Sequence, residues 1–340
     1  MKFSERIQRP YVIAEMSGNH NQSIERALEI VEAAAKAGAH ALKLQTYTAD
    51  TMTMKGAYTI HDQNSLWAGS ELYDLYLKAY TPWEWHKPLF DRAKELGMDA
   101  FSSPFDESAV DFLEELNVPF YKIASFENTH HPLLKKVAQT GKPVIMSTGV
   151  STFEEIDESV AVLKSAGCKE LVLLKCTSTY PSTPENTNLL TIPAMRERWQ
   201  CEIGLSDHTM GIGVALAAVG LGVRVIEKHF TLRRADGGVD SAFSMEPHEM
   251  KALVDESLSA FQALGHIQTN VQTAEEKSLL FKRSIYALRD ISEGEILNDQ
   301  NMKIIRPALG LAPKHWENVQ GKKAKTAIKS GTPLSWDLIE

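Results

Sequence analysis

Residues 99–125 read DAFSSPFDESAVDFLEELNVPFYKIAS, a complete strand, helix, strand unit. DAFSSP from Asp99 and FYKIAS from Phe120 are short runs of strand length, whereas ESAVDFLEEL from Glu107 spaces its apolar residues as a helix does. Polar residues sit at the C-terminal ends of both strands: Ser102 and Ser103 in the first, Lys122 and Ser125 in the second. The unit recurs outward in both directions. Strand-length runs also start at Tyr11 (YVIAEMS), Ala41 (ALKLQ), Val144 (VIMST), Leu171 (LVLLKC), Glu202 (EIGLSD) and Val225 (VIEKHFT), eight in all. Helical stretches lie between most of them, such as SIERALEIVEAAAKAG from Ser23, TPWEWHKPLFDRAKELG from Thr81 and TFEEIDESVAVLKSAG from Thr152, with cap-type residues near their starts and Gly at several ends. A doubly wound open sheet shares this alternation, but it would gather its chemistry at one switch point. Polar residues at nearly every strand end favour closure into a (β/α)8 TIM barrel, class α/β, which brings all eight ends to one mouth.

A barrel of roughly 250 residues leaves room in this 340-residue chain for a small appendage. From Phe281 the texture changes to short alternating runs with the turn signals SEG, LNDQN and KSG. The expected division is a barrel over 1–270, a short linker over 271–280 and a β-rich domain over 281–340. The segment 46–80 is long for a connection between a strand and a helix, and it holds Trp67, Tyr73 and Tyr76. Two readings of it stand: a surface excursion with a short helix, or a functional loop.

The net charge of −8 speaks against nucleic acid or an anionic membrane as the main partner. The N-terminus MKFSERIQRP lacks an apolar h-region and no run reaches the length of about 18 apolar residues that spans a bilayer, so a cytoplasmic protein is expected. The three cysteines, Cys168, Cys176 and Cys201, form no CxxC pair and read as buried structural thiols.

His208 follows the seventh strand and His229 ends the eighth, so in a barrel they stand on neighbours about 4.8 Å apart. With Asp207, Glu227 and Glu15 near, such a pair suits Mn²⁺, Fe²⁺, Co²⁺ or Zn²⁺ rather than Ca²⁺; the alternative is hydrogen bonding across the barrel top. Lys43 and Lys122 point into the mouth, and with the hydroxyls of Ser103, Ser125, Ser147, Ser178 and Ser206 they form a ring suited to phosphate and carboxylate oxygens. Pairing of these lysines with Glu15, Glu127 or Glu227 for structure, or a Schiff-base role for one of them, are the other readings. No glycine-rich P-loop is present, so a nucleoside triphosphate is not the indicated anion. Glu15 can orient or deprotonate a water. Glu127 and Asp240, in loop-like sequence after strands, suit sugar hydroxyls; an ordinary capping or surface role is the other reading of each of these three acids.

The motifs IAEMSGNHNQSIERAL, GAHALKLQTY, FSSPFD, FYKIASFE, VIMSTG, LLKCTSTYP, GLSDHT and VIEKHFTL, followed by the RP-containing β domain, resemble the sialic acid synthase family. LQTYTADTMT, LWAGSELYDLY, AYTPWEWH and DSAFSMEP are most similar to its pseudaminic acid branch. The resemblance implies a barrel joined to an antifreeze-like (SAF) domain, domain-swapped in a homodimer, and condensation of phosphoenolpyruvate with a diacetamido-trideoxy hexose. It implies a divalent cation, Mn²⁺ or Mg²⁺ and otherwise Co²⁺, on His208 and His229. Phosphoenolpyruvate would be held by Lys43, Gln45, Ser103, Lys122, Ser125, Ser147, Ser178 and Ser206. Glu127, Tyr180 and Asp240 would face the sugar, with Arg306 reaching across from the other subunit. Ser178 stands where N-acetylneuraminate synthases carry Asn, which points away from N-acetylmannosamine. Legionaminic or N-acetylneuraminate synthesis by the same chemistry is the nearest alternative; a sugar-binding protein without catalysis is the remote one.

Overall fold

The computed structural model describes residues 3–63 and 65–340. Contacts divide the chain into two compact units, 1–265 and 266–340. In the first, eight parallel strands form one sheet: β1 (Tyr11–Glu15), β2 (Ala41–Thr46), β3 (Asp99–Pro104), β4 (Tyr121–Ile123), β5 (Val144–Ser147), β6 (Leu171–Cys176), β7 (Glu202–Ser206) and β8 (Val225–His229). Their hydrogen-bonded order is β3, β2, β1, β8, β7, β6, β5, β4, and β3 lies beside β4 to complete the ring. The expected barrel is the observed one.

Each strand is followed by a helix: α1 (Ile24–Lys36), α2 (Trp83–Glu95), α3 (Glu107–Glu115), α4 (His131–Gln139), α5 (Phe153–Ser165), α6 (Thr191–Trp199), α7 (Gly213–Gly220) and α8 (Pro247–Leu264). Helix starts follow the cap residues. Ser23 accepts from the Arg26 N–H ahead of α1, and Thr152 with Glu155 forms a reciprocal capping box on α5. Beyond α1 the chain turns through Gly38 at φ 86°, a conformation that disfavours any Cβ.

Helices cover the sheet outside and side chains fill it inside, so all five residues of β1 are buried and the strands read as apolar runs. At the N-terminal end of the barrel the Phe120 ring meets Phe3 at 4.9 Å and Phe101 at 4.4 Å, while Phe3 also packs on Tyr11 at 5.6 Å. Burying each of these side chains contributes about 1.5–3 kcal/mol. That end is therefore a packed plug, and the polar residues collect at the opposite one.

The register fixes who meets whom at that polar end. Glu15 lies opposite Lys43 on one side and His229 on the other, Gln45 opposite Ser103, and Ser206 opposite Glu227. Between β2 and α2 the long excursion has structure of its own: short helices Ala49–Met52 and Leu72–Ala79 and a bridge between Thr59 and Glu71.

The second unit pairs β9 (Ser284–Ala287) with β10 (Met302–Ile305) in antiparallel register. Isolated bridges such as Ile291 to Ile328 extend it around a small core that includes Ile285, Leu297, Met302, Ala324 and Leu334. Among the described residues no helix is long and apolar enough to cross a membrane.

Candidate active site

The C-terminal mouth of the barrel opens into a cavity of about 530 Å³. Its floor is made by strand ends: Glu15, Lys43, Gln45, Lys122, Ser125, Ser147, Cys176, Ser178, Ser206, His208, Glu227 and His229 all line it. Its far walls come from the excursion and from the loop after β8.

Charge on the floor is balanced internally. Lys43 Nζ lies 3.0 Å from Glu15 Oε2 and 2.9 Å from Glu227 Oε1, and Lys122 Nζ stands 3.4 Å from the same Glu227 oxygen. Gln45 donates to Glu15 at 2.8 Å and Ser206 donates to Glu227 at 3.1 Å. Burial opposes ionisation of Glu15, but His229, Lys43 and Lys122 outweigh it and pull its pKa far below the ordinary carboxylate value. Burial likewise works against charge on both lysines. The two carboxylates overcome it at Lys43, whose pKa rises, but not at Lys122, whose pKa falls. Lys43 thus pairs with Glu15 and Glu227 and Lys122 with Glu227, while the Ser147 hydroxyl and Glu227 Oε2 stay buried without hydrogen-bond partners. Unpaired buried polar atoms are costly unless a ligand or water meets them.

The two histidine rings stand 5.3 Å apart, centre to centre. His208 Nδ1 is bound to the Thr177 carbonyl at 3.0 Å, which leaves Nε2 as its available nitrogen. His229 Nε2 lies 3.2 Å from Glu15 Oε2, while its Nδ1 is buried without a hydrogen-bond partner, 3.9 Å from Asp240 Oδ2. An orphaned imidazole nitrogen beside a second imidazole fits a cation site. Among the described residues no group of three His, Cys, Asp or Glu side chains surrounds one point. A cation here would take its remaining ligands from water and substrate oxygens.

Asp207 does not join this pair, contrary to the sequence reading. Its side chain is held by Lys228 at 2.9 Å and by the Thr209 N–H and hydroxyl, because alternation along the strand turns it out of the barrel. Cys176 departs from expectation in the other direction: buried as predicted, it nonetheless lines the cavity. Its Sγ stands 3.6 Å from Ser178 Oγ and 4.0 Å from His208 Nδ1. Burial raises the thiol pKa, but the contact with His208 outweighs this and brings it down to about 7. Nothing in the spacing of three isolated cysteines signals that placement.

Glu127, Tyr180 and Asp240 all reach the cavity, as does Trp67. Burial holds the Glu127 carboxyl up at about 7, and its Oε2 has no partner. Tyr180 packs on His208 at 4.6 Å and Phe243 at 5.2 Å. Asp240 accepts a hydrogen bond from Ser17, and burial raises its pKa. Trp67 donates to the Val239 carbonyl at 3.0 Å, joining the excursion to the loop after β8. One predicted residue of this unit does not line the cavity. Ser103 is buried with its hydroxyl unpartnered and does not line it, and Arg306 belongs to the second unit.

The NeuB family model matches residues 30–269, and the SAF domain model matches residues 282–340. The chain belongs to the NeuB family. Among its relatives, the pseudaminic acid synthase of Campylobacter jejuni subsp. jejuni serotype O:2 is 43% identical, with 95% of each chain covered. The pseudaminic acid synthase of Helicobacter pylori is 41% identical over 98% of this chain and 99% of the relative. The crystal structure of the N-acetylneuraminic acid (sialic acid) synthetase from Leptospira borgpetersenii in complex with citrate superposes with a TM-score of 0.72 at 30% identity, covering 80% of this chain and 91% of that one. Membership of the NeuB family agrees with the resemblance read from the motifs.

Proposed function

We propose that the chain condenses phosphoenolpyruvate with the open-chain aldehyde of 2,4-diacetamido-2,4,6-trideoxy-altropyranose, giving pseudaminic acid and phosphate: a transferase forming a carbon–carbon bond. The observation that carries this is the buried bridge of Lys43 between Glu15 and Glu227, set beside the His208–His229 pair in a cavity with unpartnered hydroxyl and carboxyl groups. The two relatives at 41% and 43% identity support the choice of sugar.

Lys43, Gln45, Lys122, Ser125, Ser147, Ser178 and Ser206 bind the carboxylate and phosphate of phosphoenolpyruvate. His208 and His229 would hold a divalent cation, Mn²⁺ or Mg²⁺, or Co²⁺ in their place. When bound, such a cation supplies Lewis-acid polarisation of the sugar aldehyde. Glu127, Tyr180 and Asp240 orient the sugar so that C3 of phosphoenolpyruvate attacks C1. The C2=C3 π pair forms the new bond and the aldehyde oxygen takes up a proton. Glu15 then positions a water that adds to the cationic C2 and loses a proton, and the resulting tetrahedral centre expels phosphate by C–O cleavage. Lys43 and Lys122 then stabilise the departing anion.

We assign residues 1–270 to the barrel domain, 271–280 to a linker and 281–340 to the SAF domain of a cytoplasmic homodimer, with Arg306 serving the partner's sugar site. Incubation with phosphoenolpyruvate and a panel of sugar precursors, followed by phosphate release, tests the assignment. The altrose-configured sugar should give the highest kcat/KM; preference for a precursor of legionaminic or N-acetylneuraminic acid would refute it. Phosphoenolpyruvate labelled with ¹⁸O in the bridging position should deliver that label to the released phosphate. Chelation of divalent cations and His208→Ala should each abolish turnover, with loss of bound metal in the variant.

A further inference from the structure

The cavity has two chemically distinct sides. Its floor carries every charged strand-end residue, whereas the β2–α2 excursion contributes, beside the polar Asp62 and Ser65, an apolar stretch of wall formed by Met52, Ile60, Leu72 and Leu75. These four are half-buried rather than packed into the core, so their apolar surface faces the cavity. Leu72 and Leu75 sit three residues apart in the helix Leu72–Ala79 and so share one face of it. Behind them Tyr47 anchors the wall by edge contacts with Tyr76 at 5.6 Å and Phe105 at 5.1 Å.

Resting on the proposed reaction, the aldehyde carbon of the sugar must lie at the His208–His229 pair on the floor. The opposite end of the open chain, C5 and C6, then extends away from the floor toward the cavity wall. We infer that the wall of Met52, Ile60, Leu72 and Leu75 receives the C6 methyl group, and so determines specificity for 6-deoxy over 6-hydroxy sugars. A methyl group there removes apolar surface from water, whereas a hydroxyl in the same place loses its water and meets no polar side chain from these four residues. A wall of this kind rejects an added hydroxyl only moderately, so discrimination of about ten- to a hundredfold in kcat/KM is expected.

The test uses the full-length, metal-loaded enzyme with two sugars that differ only at C6, the proposed substrate and its 6-hydroxy counterpart. Leu72→Asn and Leu75→Asn place an amide of similar size on the wall. Each should lower the 6-deoxy to 6-hydroxy ratio of kcat/KM about tenfold, chiefly through KM for the sugar, with KM for phosphoenolpyruvate and metal content unchanged. Leu77→Asn, on the exposed face of the same helix and outside the cavity lining, should retain the wild-type ratio and reports on how the helix tolerates an amide. An unchanged ratio in both Leu72→Asn and Leu75→Asn, with the wild type and Leu77→Asn active, overturns the wall assignment alone. A shift instead in the preference for the 4-acetamido over a 4-hydroxy sugar also overturns it, since the wall would then read a different group. Failure of the wild type to turn over either diacetamido sugar removes the proposed function and this inference together.

Discussion

Lys43 is the residue on which the floor's charge balance turns, since it alone touches both Glu15 and Glu227. Lys43→Met leaves two buried carboxylates facing each other. The variant should lose about 3–5 kcal/mol in chemical denaturation at neutral pH, the usual cost of breaking a buried pair from one side. The folded pKa values of Glu15 and Glu227 lie below the ordinary one. Their pairing therefore stabilises the wild type fully above about pH 4.3 and is lost as pH falls below that value, so the deficit of the variant should shrink in acid. Glu127 has the opposite sign. Burial raises its carboxyl to about 7, so the fold prefers it protonated, and its contribution is complete below about pH 4.3 and lost as pH rises through 7. Glu127→Gln should match the wild type in stability near pH 4 and exceed it above pH 7, by an amount on the order of 3 kcal/mol, in denaturation series across that range. Lys43 and Lys122 were legible in the sequence because a charge inside an apolar strand demands an explanation. Glu15 and Glu227 were among the partners the sequence offered, but which carboxylate meets which lysine was not legible, because strand register sets Glu15 against Lys43 and His229, and register is invisible in a single strand. For the same reason Asp207 looked like a neighbour of the histidines and is instead turned outward to Lys228.

At the level of elements, the barrel strands and the capped helices follow directly from apolar runs, cap residues and terminal glycines, local signals that tertiary contacts do not override here. The excursion between β2 and α2 is different. Its short helices and bridge are held within the segment, by the Thr48–Thr51 capping box and by bonds such as Leu72 N–H to the Tyr58 carbonyl. Its place over the cavity, however, rests on contacts distant in sequence, the Trp67 Nε1 bond to the Val239 carbonyl and the approach of Trp67 to Tyr180 at 6.0 Å. No periodicity within 46–80 announces such contacts, so the choice between surface excursion and functional loop could be made only once it was seen to wall the cavity. Trp67→Ala removes both links while leaving the strand-end floor untouched. Losing about 1–2 kcal/mol of positioning should raise KM for the sugar roughly tenfold, with KM for phosphoenolpyruvate and the number of bound metal ions unchanged. Steady-state kinetics with each substrate varied in turn checks this, and an equal rise in both KM values would place Trp67 in the fold rather than at the sugar.

For the whole molecule the residue that tests the proposed homodimer is Arg306, which lies in the second unit, whereas the described residues that line the cavity lie in the first. The proposed homodimer gives Arg306 to the barrel of the other chain, and a two-fold axis makes that exchange reciprocal. The arrangement can be tested with two variants that each fail for a different reason. Arg306→Ala spoils the site that its own second unit serves, and His208→Ala spoils its own barrel. When both chains are co-expressed, half of the dimers are mixed, and in each mixed dimer one barrel has intact His208 and receives intact Arg306 from its partner. Activity should therefore return to roughly a quarter of the wild-type level, the product of one half for mixed dimers and one half for competent sites. If Arg306 served the barrel of its own chain, the same mixed dimer would contain no complete site and specific activity would stay at the mean of the two variants measured apart. The measurement separates the two because the composition of the sample is identical in both cases and only the connectivity of the site differs.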